Sequence, residues 1–160
     1  MLKNNINIYR ATKKDIPFLV KSDQEILDYH RNFDNRYKKG VAVESVYKKF
    51  ISRDIKKPNT YYYIVEKNEE PIGYFSFNIC KLTPIFILDK IAYLDTMYLQ
   101  KKYRGVGLGK MIFNYIVCIL KKKKIKKIEL SVNTKNKLGV AVWTNMGFKE
   151  VSKKMERNIL

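Results

Sequence analysis

The sequence predicts an α/β domain with a mixed sheet, and two observations support that prediction. Three strand-like runs rich in β-branched and aromatic residues follow one another, beginning at Tyr61, Ile72 and Ile91. After Leu99 the pattern changes to apolar residues three and four apart, which is typical of an amphipathic helix packed on a sheet. Because 160 residues can bury a hydrophobic core of their own, we expect a single domain over residues 1–160.

The first seventy residues add a strand, two helices and a hairpin turn. Residues Ile6 to Arg10 alternate like a short strand. Thr12 followed by Asp15 is a capping box for a helix from about Lys13 to His30. A turn at Asn68 to Pro71 predicts that the first two strand-like runs form an antiparallel hairpin. The second helix is predicted from apolar residues at helical spacing: Val43, Val46, Tyr47, Phe50 and Ile51.

The second half of the chain continues with a helix, a strand and another helix. The apolar stripe of the long helix consists of Leu108, Met111, Ile112, Tyr115, Ile116, Ile119 and Leu120. A strand is expected at Ile128 to Val132, and a helix from about Lys137 to Met146. Gly147 should end that helix, since glycine readily takes the left-handed C-terminal cap. The residues from Phe148 onward are predicted to form one or two closing strands.

The charge balance indicates a protein that attracts polyanions. Lysine and arginine number 33 against 15 acidic residues, which gives a formal net charge of +18. Nucleic acid, an acidic protein surface and a phosphorylated cofactor all fit this field, and nucleic acid is left open as a partner without being favoured. The block from Lys121 to Lys127 (KKKKIKK) is interpreted as a solvated helix end whose lysines complement the helix dipole.

The cysteines, the histidine and the hydropathy pattern limit the class of protein. Cys80 and Cys118 lie in apolar runs, and we interpret both as core residues in a reducing compartment. His30 is the only histidine, so a metal site is not expected. The sequence has no apolar stretch near the ~18 residues that a membrane span requires. We therefore expect a soluble, cytoplasmic protein without a membrane partner, and a homodimer is left open.

The segment from Gln100 to Lys110 (QKKYRGVGLGK) is typical of a phosphate-binding turn. It joins a strand to a helix N-terminus, with glycines at positions 105, 107 and 109. Glycine lets the backbone approach a ligand and aim successive N–H groups at one point, and the first helical amides lack intrahelical partners. Arg104 adds positive charge. A pyrophosphate fits this turn, although the glycines could also serve only a tight bend. The spacing excludes a dinucleotide fingerprint and a Walker loop.

Two motifs resemble signatures of the GNAT superfamily of N-acetyltransferases. The first has Gln or Arg, then two residues, Gly, one residue, and Gly or Ala, and here it reads Arg104, Gly107, Gly109. The second runs from Asn136 to Gly147-Phe148, with Gly139 where the family usually has Ala and Trp143 where it usually has Tyr. The resemblance implies an α+β fold with a mixed, mostly antiparallel sheet of about six to seven strands flanked by about four helices.

The resemblance also implies where acetyl-CoA would bind. The pyrophosphate would lie on the turn, and the pantetheine arm would pair with the backbone of the preceding strand and pass near the second motif. Asn136 looks like the family's cofactor-contacting Asn, although Asn is also a favoured helix N-cap. The expected cofactor-binding residues are Met97, Tyr98, Leu99, Arg104, Gly105, Val106, Gly107, Leu108, Gly109, Lys110, Asn136 and Trp143.

Amine acylation requires a proton acceptor, for which Asp95 is the candidate. An alkyl ammonium has a pKa near ~10.4, so a proton must leave before the nitrogen can attack. Strand alternation places Asp95 on one face with Tyr93 and Met97, and the resemblance to polyamine acetyltransferases places their strand acid at this position. A purely structural role, in a cap or a salt bridge, stays open.

Trp143 occupies the position of the family's usual general acid, but indole does not protonate a leaving group. Release of a thiolate with a pKa near ~8.5 costs only about 2 kcal/mol at pH 7. Trp143 is therefore expected to pack against the thiol arm, with Tyr98 and Tyr103 as unranked substitutes for the acid. This departure keeps open a protein that binds acyl-CoA without turnover.

The amine acceptor is the least determined part of the prediction. The variable region of the family that faces the acceptor contributes His30, Phe33, Asp34 and Tyr37 here. The expected function is acetyl-CoA-dependent N-acetylation of a primary amine of a small molecule or peptide. The alternatives are a non-catalytic acyl-CoA-binding protein and a basic protein associated with nucleic acid or ribosomes. A polycation is disfavoured as the acceptor by the net charge of +18.

Overall fold

The computed structural model describes residues 5–159, and its helices lie on both faces of a five-stranded sheet. The strands follow their chain order from edge to edge and are antiparallel, except for the parallel pair formed by the last two. The elements are β1 (Ile6–Arg10), α1 (Ile16–His30), α2 (Glu44–Asp54), β2 (Thr60–Lys67), β3 (Glu70–Lys81), β4 (Lys90–Leu99), α3 (Leu108–Lys122), β5 (Ile128–Glu129) and α4 (Lys137–Asn145). The predicted α+β class with four helices is confirmed, and the strand count is slightly lower than expected.

Local signals in the sequence form as predicted. Asp15 and Thr12 make the reciprocal bonds of a capping box, although the box caps a 3₁₀ turn that leads into α1. The β2–β3 turn places Asn68 and Glu69 at φ of 50° and 65°, and such left-handed pairs match the twist of a tight hairpin. Gly147 ends α4 with a φ of 92°, as a left-handed cap requires.

The predicted closing strands are absent from residues 148–159. Strand β5 has only two residues and ends at Glu129 rather than Val132, so it offers almost no edge for a further strand. Six of the twelve residues from 148 to 159 are charged, and the apolar Val151, Met155 and Ile159 are 77%, 90% and 97% exposed. This segment has too little buried apolar surface to offset the entropy of strand formation.

Each face of the sheet has its own hydrophobic cluster. Helix α3 buries Leu108, Ile112, Ile116 and Leu120 at four-residue spacing against the face that carries Phe75 and Phe77. On the other face, α1 and α2 cover a second cluster, whose buried members are Ala11, Leu19, Val20, Ile51, Ile64, Tyr74 and Tyr98. Both ends of α3 are therefore held relative to the sheet.

The interpretation of the two cysteines as core residues is wrong, because both are exposed free thiols. Cys118 lies off the buried stripe of α3, on the side of the helix that faces solvent. Cys80 is the penultimate residue of β3, and the buried part of that strand ends at Phe77. An apolar run at the end of an element does not ensure burial.

The longest helices, α1 and α3, have 15 residues each. Within residues 5–159, no helix combines the length and the apolar character needed to cross a bilayer.

A stability prediction follows from the close approach of β3 to β4. A Cβ atom on Gly73 would lie 2.3 Å from the Tyr98 carbonyl oxygen and 2.8 Å from the Leu99 Cδ2. Gly73→Ala should therefore lower the free energy of unfolding by about 2 kcal/mol or more in urea titration. Gly109→Ala is the control, since its Cβ would lie 3.9 Å from the nearest atom and alanine favours a helix. Equal stability of the two variants would contradict this packing.

Candidate active site

The glycine turn before α3 leaves the helix N-terminus open. Gly105 and Gly107 take φ of 78° and 84°, in the left-handed region that side chains disfavour. Apart from the adjacent residues, no atom of residues 5–159 lies within 4 Å of a Cβ placed on either glycine, so the described chain leaves the space above the turn free. Gly107 is the N-cap of α3, and among the described residues no side chain caps the helix. The first amides of α3 are thus available to an anion.

The first turn of α3 lies close to two other elements. A Cβ atom on Gly109 would lie 3.9 Å from the Met146 Cε and 4.0 Å from the Met97 Cε. The start of α3, the end of β4 and the end of α4 therefore converge at Gly109. The two family motifs, which are separate in the sequence, meet at this point of the fold.

Strand β4 offers an open edge on the side away from β3. Its pairing with β5 is limited to Ala92 and Tyr93, so within the described chain the residues beyond Tyr93 have no strand on that side. The Gln100 N–H donates to the Ile72 carbonyl at 2.9 Å. By the alternation of an antiparallel pair, the backbone groups of Met97 and Leu99 then point away from β3. Because the Leu99 carbonyl already accepts from Arg104 Nε, the groups that suit a ligand along the strand are the Leu99 N–H and both backbone groups of Met97.

Tyr98 does not face this edge. The backbone N–H and C=O of Tyr98 point in the opposite direction to those of Leu99, toward β3, where Tyr98 pairs with Tyr74. Its side chain is buried on the opposite face of the sheet from α3, and its hydroxyl donates to Glu25 Oε2 at 2.5 Å. Burial and this bond raise the pKa of Tyr98. Tyr98 is therefore placed neither as a cofactor contact nor as a substitute acid.

Two other predicted residues have contacts that limit their roles. The Arg104 Nε donates to the Leu99 carbonyl at 2.7 Å, so this side chain holds the end of β4. Tyr103 packs on the cluster beneath α3, with Lys67 and Lys102 over its ring. Lys110 in the first turn of α3 is exposed and free to contact an anion.

Asp95 lies at a β-bulge, which changes the predicted alternation. The register of β3 and β4 shifts where Ser76 pairs with Thr96 and Phe77 pairs with Leu94, leaving Asp95 as the extra residue. Met97 packs on the α3 face of the sheet, whereas Asp95 contacts Asn78, which lies on the opposite face. The expectation that Asp95 shares a face with Met97 is therefore wrong.

The surroundings of Asp95 favour its protonated form more than water does. Although Asp95 is solvent-exposed, partial desolvation, and then the negative charge of Asp54, raise its pKa to about 6. Asp54 is itself paired with Arg53 and Lys57 at 2.7 Å each. The Asn78 amide donates to one oxygen of Asp95, and Asn78 is in turn bonded by the Thr60 hydroxyl at 2.6 Å. This carboxyl group can exchange a proton near neutral pH.

Trp143 packs in an aromatic group between α3 and the end of α4. Its ring centroid lies 6.3 Å from that of Phe113 and 5.5 Å from that of Phe148, both in edge-on arrangements. The side chain is half-buried against the cluster under α3. The larger indole thus has a packing role that the sequence did not reveal.

Asn136 is buried and has two hydrogen bonds through one oxygen. Its Oδ1 accepts from the Gly139 N–H at 2.9 Å and from the Tyr29 hydroxyl at 3.0 Å. A Cβ on Gly139 would lie 2.5 Å from the Asn136 Nδ2, so in this chain the Asn136 side chain occupies the space that an alanine methyl group would need. Sequence reasoning missed Tyr29, since nothing in the pattern links residues 107 positions apart.

The residues expected to face the acceptor gather around Tyr29, except for Asp34. The ring centroids of Phe33 and His30 lie 5.1 Å and 6.0 Å from that of Tyr29, and Tyr37 lies 6.3 Å from His30. Desolvation lowers the pKa of His30, which favours neutral imidazole. Asp34 instead pairs with Arg36 at 2.5 Å, and hydrogen bonds from Arg36 hold the pKa of Asp34 at about 2.

Asp23 is a second carboxyl group with a raised pKa, and the sequence analysis did not single it out. Burial raises the pKa of Asp23 to about 6, although the hydroxyl of the fully buried Tyr74 donates to it.

Among residues 5–159, no group of three or more His, Cys, Asp and Glu side chains is placed to hold a metal ion.

These features fit acetyl-CoA by their donor chemistry. The uncapped α3 amides and Lys110 suit a pyrophosphate, and the open edge of β4 at Met97 and Leu99 suits an amide-bearing arm. The aromatic group around Trp143 adds apolar surface near the convergence at Gly109.

The sequence and the fold both match known acetyltransferases. Residues 23–148 match the model of the acetyltransferase (GNAT) family. An uncharacterized N-acetyltransferase from Methanocaldococcus jannaschii is 25% identical over 123 residues, which are 76% of this chain and 52% of that protein. The chain thus spans about half the length of this curated relative.

Solved structures share the fold over nearly the whole chain. The tetramutant of a Bacillus halodurans protein has a TM-score of 0.85 at 18% identity, covering 96% of this chain and 99% of that one. A predicted acetyltransferase from Clostridium acetobutylicum, solved with acetyl-CoA, has a TM-score of 0.72 at 21% identity and covers 96% of both chains. Because the family match extends over well more than half of the residues, this chain belongs to the GNAT family of acetyltransferases, whose cosubstrate is acetyl-CoA.

Proposed function

We propose that this protein transfers an acetyl group from acetyl-CoA directly to a primary amine of a small molecule or peptide. One observation carries the proposal: an uncapped, glycine-opened helix N-terminus lies beside the free edge of a strand whose bulge presents a carboxyl group. These features provide an anion site, a strand edge for an extended ligand and a proton acceptor. Acyl transfer from a nucleotide-linked thioester requires all three.

The start of α3 would hold the pyrophosphate. The amides of the glycine turn and of the first residues of α3, from Gly105 to Lys110, supply N–H donors, and the positive end of the helix dipole adds to them. Lys110 contributes a mobile positive charge. Arg104 acts less directly, because its guanidinium is bonded to the end of β4 and so supports the geometry of the turn.

The backbone of Met97 and Leu99 would align the pantetheine arm, and the indole of Trp143 would pack against it. Asn136 is a weaker candidate for a contact, since its oxygen already accepts two hydrogen bonds, whereas its Nδ2 is free to donate. When bound, acetyl-CoA supplies the thioester carbonyl carbon that an amine attacks.

Asp95 would take the proton that the amine loses. The ammonium first loses one proton to the Asp95 carboxylate, or to a water that it holds, and becomes a neutral amine. The C–N bond then forms and the C–S bond breaks, the nitrogen loses its second proton to solvent, and the thiolate leaves. Asn78 fixes one carboxylate oxygen and leaves the other free for this exchange. Since thiolate release costs only about 2 kcal/mol at pH 7, a dedicated acid at Trp143 is dispensable.

The acceptor would enter beside the aromatic residues around Tyr29, namely His30, Phe33 and Tyr37. Asp34, already neutralised by Arg36, has little capacity to attract a cation. The net charge of +18 also opposes a polycation, so an acceptor with aromatic or apolar character beside its amine fits better.

A second function, acyl-CoA binding without turnover, is favoured by one observation: Trp143 stands at the position of the usual acid. The two functions share the cofactor contacts and differ only in thiol release. A protein that binds acetyl-CoA, yet releases no thiol with any amine of a broad panel, would be a binding module.

The cofactor contacts are tested by replacing Gly107 with valine. The φ of 84° disfavours a side chain, and the new side chain would occupy the open space over the helix amides. Calorimetric titration should show acetyl-CoA affinity reduced at least tenfold. Lys124→Val places a β-branched side chain at another left-handed position, with a φ of 58°, beyond the opposite end of α3, and should keep the wild-type affinity. Unaltered binding by the Gly107 variant would rule out the turn as the pyrophosphate site.

The proton acceptor is tested by the pH dependence of thiol release with an accepted amine. Only the carboxylate accepts a proton, so activity should increase as the pH rises through about 6, the pKa of Asp95. Asp95→Asn should lower the rate by about 10²-fold or more and remove this increase. Asp23→Asn is the matched control, because Asp23 has the same raised pKa but should leave the profile in place. If the Asp23 variant loses the increase instead, Asp95 is not the base.

A further inference from the structure

The loop between β3 and β4 exposes apolar side chains to solvent. The residues from Pro84 to Leu88 (PIFIL), here called the apolar loop, include Ile85, Phe86 and Ile87 at 87%, 55% and 102% exposure. The loop is closed at its base, where the Leu82 N–H donates to the Asp89 carbonyl at 2.8 Å. Single exposed apolar residues are ordinary, but three consecutive ones at a loop tip indicate a contact with a partner.

Lysines surround the base of the same loop. A cavity of about 360 Å³ is lined by Lys81 of β3, Lys90 of β4 and Lys123, the residue after α3, together with Tyr61, and by no acidic residue of the described chain. We call these three residues the lysine cluster. The Lys-rich segment from 121 to 127 continues the positive surface, and the Lys127 carbonyl accepts from the Ala92 N–H at 3.0 Å, beside the start of β4.

Two members of the lysine cluster are arranged at a cost to stability. Lys81 and Lys90 are direct cross-strand partners at the base of the apolar loop. Like charges in directly opposite positions destabilise a sheet. An anionic partner on this surface would offset that repulsion, as expected where a local rule is broken at a binding surface.

The combination of an exposed apolar loop with a lysine cluster favours one class of partner over two others. A second copy of the chain would bring one lysine cluster against another, which a net charge of +18 on each copy opposes. Nucleic acid would use the lysines but leave the apolar loop in water. It would also find little free aromatic surface in the cavity, because the Tyr61 ring stacks on Phe77 and lies under Arg10 and Lys123 at 4.2 Å and 4.5 Å.

We propose that this end of the molecule docks on a membrane surface that carries anionic lipid headgroups. The apolar loop enters the boundary between headgroups and acyl chains, while the lysine cluster contacts lipid phosphates in the same plane. This is peripheral binding, which departs from the expectation of no membrane partner and requires no spanning helix.

Docking at this end leaves the proposed cofactor-binding turn accessible. The lysine cluster lies where β4 begins, and the glycine turn follows its end at Leu99. Ten residues of strand separate the two ends, which is roughly 30 Å. The protein would therefore bind acetyl-CoA while attached to the membrane.

Sedimentation with vesicles tests the proposal. The full chain should bind vesicles of phosphatidylcholine and phosphatidylglycerol in equal parts, and should not bind vesicles of phosphatidylcholine alone. Ile85→Ser with Phe86→Ser and Ile87→Ser should reduce binding at least tenfold. Lys81→Gln with Lys90→Gln should weaken it by about fivefold for each lysine removed, and added salt should weaken it further.

Two control variants remove the same chemistry from other surfaces. Val151→Ser with Met155→Ser changes exposed apolar residues, and Lys48→Gln with Lys49→Gln removes two exposed charges from α2. Both should bind the anionic vesicles like the wild type. Thermal unfolding of every variant shows whether the fold is intact, and all changed positions are exposed.

Several outcomes would overturn the proposal. Equal binding to neutral vesicles would remove the role of charge. If the variant with serine at positions 85, 86 and 87 binds vesicles like the wild type, the apolar loop has no role and the surface binds polyanions only. If the wild type retains single-stranded RNA but does not bind vesicles, the partner is nucleic acid. If the wild type is a dimer that does not bind vesicles, and the variant with serine at positions 85, 86 and 87 is a monomer, the surface is an interface between copies of the chain.

Discussion

Helix α3 begins with amide groups that no side chain caps, and the proposed site is organised around that end of the helix. The burial of Leu108 and Ile112 fixes the start of the helix on the sheet, so the open end cannot turn away to find another partner. A charge at a helix N-terminus contributes about 0.3 to 2 kcal/mol, whereas micromolar affinity needs about 8 kcal/mol. The turn alone therefore cannot bind acetyl-CoA. The neighbouring edge of β4 and the aromatic surface at the end of α4 must supply the larger part.

The same sheet irregularities that open the site also limit what sequence reasoning can reach. Alternation correctly predicted β4 as a strand, but the bulge at Asp95 reverses the face on which the following residues lie. Nothing in the sequence marks that extra residue. Likewise, the stop of β5 after Glu129 leaves β4 open, although the apolar residues up to Val132 predict a longer strand. Residue type and resemblance therefore predicted Asp95 as the proton acceptor and β4 as the strand that pairs with the cofactor. Their geometry is seen only in the structure.

Signals that act over a few residues were predictable, and contacts between distant elements were not. Three such signals are the Thr12 capping box, the Asn68 turn and the left-handed Gly147. Each depends on the conformational preferences of a few neighbouring residues, which can be predicted from the sequence. The bond from Tyr29 to Asn136 depends instead on how α1 packs near α4. The exposure of the two cysteines also depends on packing, since Cys80 lies past the buried part of β3 and Cys118 lies on the solvent side of α3.

The central claim, that the α3 amides receive the pyrophosphate, is tested most directly by amide NMR of the ¹⁵N-labelled chain titrated with coenzyme A. Large shifts of the amides from Gly105 to Lys110, with further shifts at Met97 and Leu99 and little change at the apolar loop, are the predicted result. Saturable binding that shifts other amides and leaves those of the glycine turn in place would contradict it.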